Sequence, residues 1–278
     1  MEIWNHFVII KAMHPLTTKY ILDNNIPCDE FDKDRFSVDV SENNPHWGEI
    51  ERLLKLEDLS YFSETKFDKN ELLSAEWLTV RSRWYYDYPQ PEDKYREITY
   101  TKEFFCSNRD CWIGLVQKDK FRFKRTPKWG KRNFCMINWV YDELFVSPKA
   151  KELLEASSLE GFSFMEVYKK SGTEPLADVF QLIIPYILQK GMIESTSKIR
   201  QIYDCPVCGG RKFLARGRGR HSFKKEIFID APDFVKSAEI FGAGGTAARE
   251  ILVSQRAYRF IVENKLDSSL VFEPITLV

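Results

Sequence analysis

Six cysteines stand at positions 28, 106, 111, 135, 205 and 208, and the spacing of four of them sets the chemistry to look for. In Asp204-Cys205-Pro206-Val207-Cys208-Gly209-Gly210 two thiols are two residues apart. At that spacing both thiolates reach one ion, turn N–H groups point at the sulfurs, and the following glycine permits a positive φ. Cys106-Ser-Asn-Arg-Asp-Cys111 is the other close pair; its four-residue gap lies within the range of finger-type sites. A closed structural site takes four ligands in a tetrahedron and leaves no position for a reacting water. Cys106, Cys111, Cys205 and Cys208 are therefore expected to hold a structural, non-catalytic Zn2+. Reduced, unliganded thiols are one alternative and redox chemistry at Cys205 and Cys208 another. The redox reading needs a strand before the motif and a helix after it, whereas Gly-Gly and Arg-Gly repeats follow here. Cys28 and Cys135 read as packing residues.

Other catalytic patterns are missing from the sequence. His6, His14, His46 and His221 form no His-Glu-x-x-His, and there is no Gly-x-Ser-x-Gly elbow or phosphate loop. Gly242-Ala-Gly-Gly-Thr246 could offer N–H groups to a phosphate at a helix start, or be a turn between helices. No strand is expected before it, which argues against a dinucleotide fingerprint. Asp142 and Glu143 are adjacent carboxylates whose partners one chain cannot reveal. A non-enzymatic protein is the expectation.

Composition narrows the class further. Lys+Arg and Asp+Glu both number 41, with 44% hydrophobic and 29% charged residues, which excludes disordered and fibrous chains. No apolar run approaches the ~20 residues of a membrane-spanning helix, and the N-terminal sequence lacks the export pattern. A cytoplasmic protein with no membrane partner is expected, and reduced thiols in that compartment favour metal over disulfides.

The neutral total hides two basic segments, 118–132 and 211–225, each following a cysteine pair. A basic zinc ribbon suits nucleic acid, with Arg216, Arg218, Arg220, Lys224 and Lys225 as candidate contacts. The same residues suit a solvated face, or pairing with the acid-rich stretch 29–103.

Elements must position these groups. Strands are expected at 7–11, 35–40, 98–105, 121–124, 134–141, 162–168, 179–188 and 269–277. Helices are expected from Trp47, from a capping box at Asp68 and Glu71 through about Val80, from Ser147-Pro148 to about Ala156, and after Ser254. Pro89 and Pro91 mark an extended linker. Trp84-Tyr85-Tyr86-Asp87-Tyr88 is either an aromatic interface or core. Short strands at 200–203 and 212–215 would bracket the second cysteine pair. The architecture expected is α+β, mainly antiparallel sheet with peripheral helices and a zinc-ribbon-like four-cysteine element formed by 104–132 and 200–225. Because a shared ion would clip distant segments together, residues 1–278 are expected to form one interdependent unit.

Several segments follow one another in a telling order: Tyr61-Phe62, Glu71 to Leu78, the first cysteine pair with Gln117, Trp129-Gly130, Trp139 to Val146 and the second pair with Gly209. Asp233 to Gly242, Ile251 to Ser254 and Phe272 to Ile275 complete the series. In that order the chain resembles the double-CXXCG-motif family of bacterial proteins. The first pair departs from the family pattern, being Cys-x-x-x-x-Cys followed by Trp112, and Ala238 and Ile240 also differ from it. The resemblance implies a toxin-neutralising immunity protein of bacterial antagonism. Such a protein acts by protein–protein binding to a cognate toxin and has no catalytic residues. It carries over only the four cysteines, as ligands.

Overall fold

The computed structural model describes residues 1–108, 110–215 and 217–278, arranged as two compact units. The first comprises residues 1–71 with Gly217, Arg218 and Gly219. It contains β1 (Glu2–Ile10), α1 (Pro15–Asp23), β2 (Cys28–Glu30), β3 (Arg35–Ser41), α2 (Trp47–Leu56) and β4 (Phe62–Lys66). The strands form an antiparallel sheet in the order β2-β3-β1-β4. Period-2 alternation puts Phe7 and Ile9 of β1 on the same face as Phe36, Val38 and Val40 of β3. Ile21 of α1 and Trp47, Ile50 and Leu54 of α2 close that core.

The short helix α3 (Lys69–Ser74) begins with the expected reciprocal cap. The Glu71 N–H donates to Asp68 Oδ1 at 2.9 Å and the Asp68 N–H to Glu71 Oε2 at 3.1 Å. The helix does not continue to Val80. Residues from Trp77 form β5 (Trp77–Ser82), whose Trp77, Leu78, Thr79 and Val80 are all buried. A strand covered on both faces has no alternation, so its apolar run reads like a helix.

In the second unit the chain continues through α4 (Tyr95–Thr99), β6 (Tyr100–Lys102), β7 (Leu115–Gln117), β8 (Arg122–Phe123), β9 (Phe134–Ile137) and β10 (Val140–Val146). Then come α5 (Pro148–Glu155), β11 (Ser163–Lys169), β12 (Pro175–Ile183), β13 (Ile199–Asp204), β14 (Arg211–Ala215) and β15 (Ser222–Phe223). The last elements are β16 (Phe234–Phe241), β17 (Ala248–Ser254), α6 (Gln255–Glu263), β18 (Leu270–Pro274) and β19 (Thr276–Leu277). Two mainly antiparallel sheets result, in the orders β8-β11-β12-β10-β9 and β13-β14-β16-β17-β5-β18. Small ribbons join β6 with β7 and β15 with β19. The protein is thus α+β and mostly antiparallel sheet, with few helices.

The main core takes Phe134, Leu144 and Leu182 from one sheet and Leu78, Ile251 and Val253 from the other, with Leu154 of α5 and Ile261 of α6. On the opposite face of the five-stranded sheet, Phe121, Phe123, Cys135, Phe145 and Val179 form a second cluster. Trp84 and Tyr86 pack against that cluster and Tyr85 against the main core, so most of the aromatic run is partly buried; only Tyr88 is exposed.

Three local expectations are corrected. Residues 95–99 are helical, and the strand after them stops at Lys102 before the first cysteine loop. The expected strand 134–141 is the start of a hairpin, reversed at Trp139 with φ +69°. A strand, β16, does precede Gly242-Thr246, but β17 follows it, giving a hairpin where a dinucleotide site needs a helix. No helix among the described residues is long and apolar enough to cross a membrane.

Candidate metal centre

Each cysteine pair sits at the tip of a two-stranded ribbon. In the first, β6 and β7 pair from Tyr100 opposite Gln117 to Lys102 opposite Leu115. The Glu103 N–H then donates to the Gly114 carbonyl at 2.8 Å, closing the loop that holds Cys106 and Cys111. In the second, β13 and β14 pair as far as Asp204 opposite Arg211. The Cys205 N–H donates to the Gly210 carbonyl at 2.8 Å and the Gly209 N–H to the Cys205 carbonyl at 2.9 Å. Gly209 takes φ +67°, the left-handed conformation anticipated after the second thiol. At Gly210 the two tips meet, since a Cβ there would lie 2.8 Å from Ile113 Cδ1 and 3.3 Å from Cys208 Sγ.

The four sulfurs lie within 4.8 Å of one another and could hold a metal ion. Two close approaches cross between ribbons: Cys106 Sγ to Cys205 Sγ is 3.7 Å and Cys111 Sγ to Cys208 Sγ is 3.6 Å. Neither tip completes the cluster alone. Cys106 and Cys111 are buried, Cys205 and Cys208 half-buried.

Backbone N–H groups address the sulfurs: Asn108 to Cys106, Ile113 to Cys111, and both Cys208 and Val207 to Cys205. Asn108 Nδ2 also lies 3.5 Å from Cys205 Sγ. The Cys208 and Val207 amides, against the opposing effect of burial, pull the Cys205 thiol down to about 6. Burial pushes Cys111 up to about 12 and Cys106 upward as well. One thiol of the cluster is thus prepared as a thiolate, and a metal must displace protons from the buried pair. Cys28 is half-buried beside the first unit's core, and the buried Cys135 thiol is pushed up by its apolar surroundings.

Just beyond the cluster, Trp112 carries the Arg96 guanidinium 4.1 Å from its ring centroid and Lys102 Nζ at 5.1 Å. Lys102 Nζ also donates to the Cys111 carbonyl at 3.2 Å. The loop is held by cation–π contacts as well as by backbone pairing.

Six of the fifteen basic residues in the two segments have carboxylate partners within the fold. Arg218 lies 2.6 Å from Glu42, Lys225 2.9 Å from Glu76 and Lys224 3.6 Å from Glu226. Arg211 pairs with Asp204 and Glu194, Lys120 with Glu166, and Arg122 with Asp119. Arg220 is half-buried, and Arg216 lies outside the described residues. Gly217, between two of these arginines, has a packing reason. Gly217 lies against β4, where a Cβ would fall 1.5 Å from the Ser63 carbonyl oxygen, and Thr65 Oγ1 donates to the Gly217 carbonyl at 2.8 Å.

The partners of Glu143, one of the two adjacent carboxylates, emerge only in the fold. Lys236 Nζ donates to Glu143 Oε1 at 2.6 Å, and Gln181 Nε2 to Glu143 Oε2 at 3.0 Å. Gln117 and Gln181 exchange hydrogen bonds of 2.9 and 2.7 Å. Burial alone would discharge Lys236, yet the Glu143 and Asp142 carboxylates hold its pKa above the ordinary lysine value. The available signal was two charged residues inside each of two mainly apolar runs, Asp142 and Glu143 in Val140–Val146 and Lys236 and Glu239 in Phe234–Phe241. No family model matches the chain, and no curated protein matches it.

Proposed function

We propose that the four cysteines hold a structural zinc ion and that the protein works by binding another protein, as a toxin-neutralising immunity factor. The observation that carries the metal reading is the meeting of two hairpin tips with all four sulfurs within 4.8 Å. Zinc–thiolate bonds of about 2.3 Å in a tetrahedron require sulfurs about 3.8 Å apart. Two of the separations, 3.6 and 3.7 Å, fit that edge. Four thiolates fill the coordination sphere, so the ion ties the ribbons together and offers no site to a substrate. The all-sulfur set disfavours the hard cations that take oxygen ligands and suits zinc or iron, and the N–H groups aimed at the sulfurs stabilise thiolates bound to either.

The immunity reading rests on the resemblance to the double-CXXCG family, and pairing of the basic segments supports it over nucleic-acid binding. A phosphate-binding face needs cations available to exchange condensed counterions, whereas Arg218, Lys225, Arg211, Lys120 and Arg122 have carboxylate partners. The deciding experiment purifies the tagged protein from its native host. A stoichiometric protein that is toxic when expressed alone, and harmless when co-expressed with this chain, is expected. Recovery of nucleic acid that high salt releases would replace this reading with the zinc-ribbon nucleic-acid alternative.

A further inference from the structure

A cavity of about 430 Å3 opens in the second unit beside the first cysteine ribbon. Its volume is in the range of small-ligand sites. Five aromatic residues line it: Tyr95, Tyr100, Trp112, Trp139 and Tyr141. Asp142, Glu143, Lys236 and Arg249 also line it, the buried Lys236–Glu143 pair among them. A second cavity of about 370 Å3 shares Tyr95, Arg96, Trp112 and Trp139 with the first and adds Glu92, Asp93 and Glu97.

The hydrogen-bonding capacity here is unbalanced. The cations of the first cavity are engaged: Lys236 on Glu143, and Arg249 Nη1 on the Ser237 and Ala238 carbonyls at 2.8 and 2.6 Å. Arg96 donates to Tyr95 Oη at 2.9 Å and to the Gly245 carbonyl at 3.0 Å while its plane lies over Trp112. The acceptors have capacity left. Asp142 takes only the Arg249 backbone N–H, at 3.4 Å, and Glu103 at the rim takes no side-chain hydrogen bond among the described residues. Over the two cavities six carboxylates face four cations. Lined by aromatic faces and spare carboxylate lone pairs, such a site is complementary to a positively charged donor.

We propose that this cavity binds an organic cation, a guanidinium or ammonium group on an apolar chain. The head sits against Asp142 and the Tyr141 ring, and the chain lies along Ile184 and Ile240. The head belongs either to a free small molecule or to an arginine or lysine side chain of a bound peptide. This site is independent of the toxin reading and stands or falls without it.

Calorimetric titration of the whole 278-residue chain, as purified, tests it, using agmatine, acetyl-Gly-Arg-Gly-amide and the uncharged N-butylurea. Saturable one-to-one binding of at least one cation is expected, with N-butylurea about tenfold weaker or worse. D142N should weaken cation binding at least about tenfold. Y141L, at a side chain 41% exposed and so tolerant of change, should weaken it about three- to tenfold. Agmatine binding more tightly than the tripeptide identifies a free cation, the reverse a peptide-borne one, and equal affinity supports the head-group site itself. Absence of saturable binding by both cations overturns the proposal, as does affinity unchanged in folded Y141L; that variant decides if D142N fails to fold.

Discussion

Replacing His221 by leucine should make the protein markedly less sensitive to acid. The imidazole is 1% exposed, set between Phe223 and Phe241 at ring-centroid distances of 6.3 and 5.1 Å. Neither ring nitrogen has a hydrogen-bond partner among the described residues. Burial, helped by the nearby Lys198 charge, lowers its pKa from 6.5 to about 3. Unfolded chains therefore take up a proton below about 6.5, while the folded protein refuses one until about 3. Across that window the unfolded state binds more protons, so stability rises with pH. The contribution is complete above about 6.5 and is lost as pH falls toward the folded value. At 1.36 kcal/mol per pKa unit, the loss at pH 5 is about 2 kcal/mol.

Urea unfolding followed by tryptophan fluorescence at pH 7.5, 6 and 5 reads this directly. The native protein should lose about 2 kcal/mol more than H221L over that range. Protonation of the cysteine cluster acts on both proteins and cancels in the difference. At pH 7.5 H221L should be at least as stable as the parent, because a buried unsatisfied polar group has been removed. Parallel loss of stability in the two proteins would refute the reasoning.

Lys236→Met should cost about 3–5 kcal/mol in urea unfolding by leaving Glu143 buried and unpaired. Adding Glu143→Gln should recover more than about 1 kcal/mol, and the double-mutant cycle would show no coupling if the pair were independent. Ser254→Ala should cost about 1 kcal/mol of thermal stability, since Ser254 Oγ accepts the Ala257 N–H at 3.1 Å to cap α6. Gly217→Ala should destabilise the first unit by at least about 2 kcal/mol, because its Cβ has no room at the Ser63 carbonyl; unchanged hydrogen exchange in β4 would contradict that.

Legibility from sequence followed the reach of the signal. The caps at Asp68, Ser147 and Ser254 are local chemistry, and all three start helices as expected. The ribbon around Cys205 is equally local, fixed by two short strands and a Gly-Gly turn. The two cysteine pairs lie far apart in the chain, and spacing alone named the four residues that the fold brings together. What stayed hidden depends on long-range burial. Trp77–Val80 reads as helix until both its neighbours, β17 and β18, are in place. Lys236 and Glu143 look like surface charges until their strands meet, 93 positions apart. The Arg-Gly segment looked like an open loop because nothing local shows that Gly217 lies on β4.

Zinc content tests the central claim most directly. Elemental analysis of the protein purified without added metal, alongside C205S and C208S, should give one zinc per chain for the parent. Each variant should have sharply reduced zinc together with a lower Tm, because the ion joins two ribbons that no other cysteine pair connects. A metal-free parent with full thermal stability, or variants that lose zinc with no change in Tm, would contradict a structural metal centre.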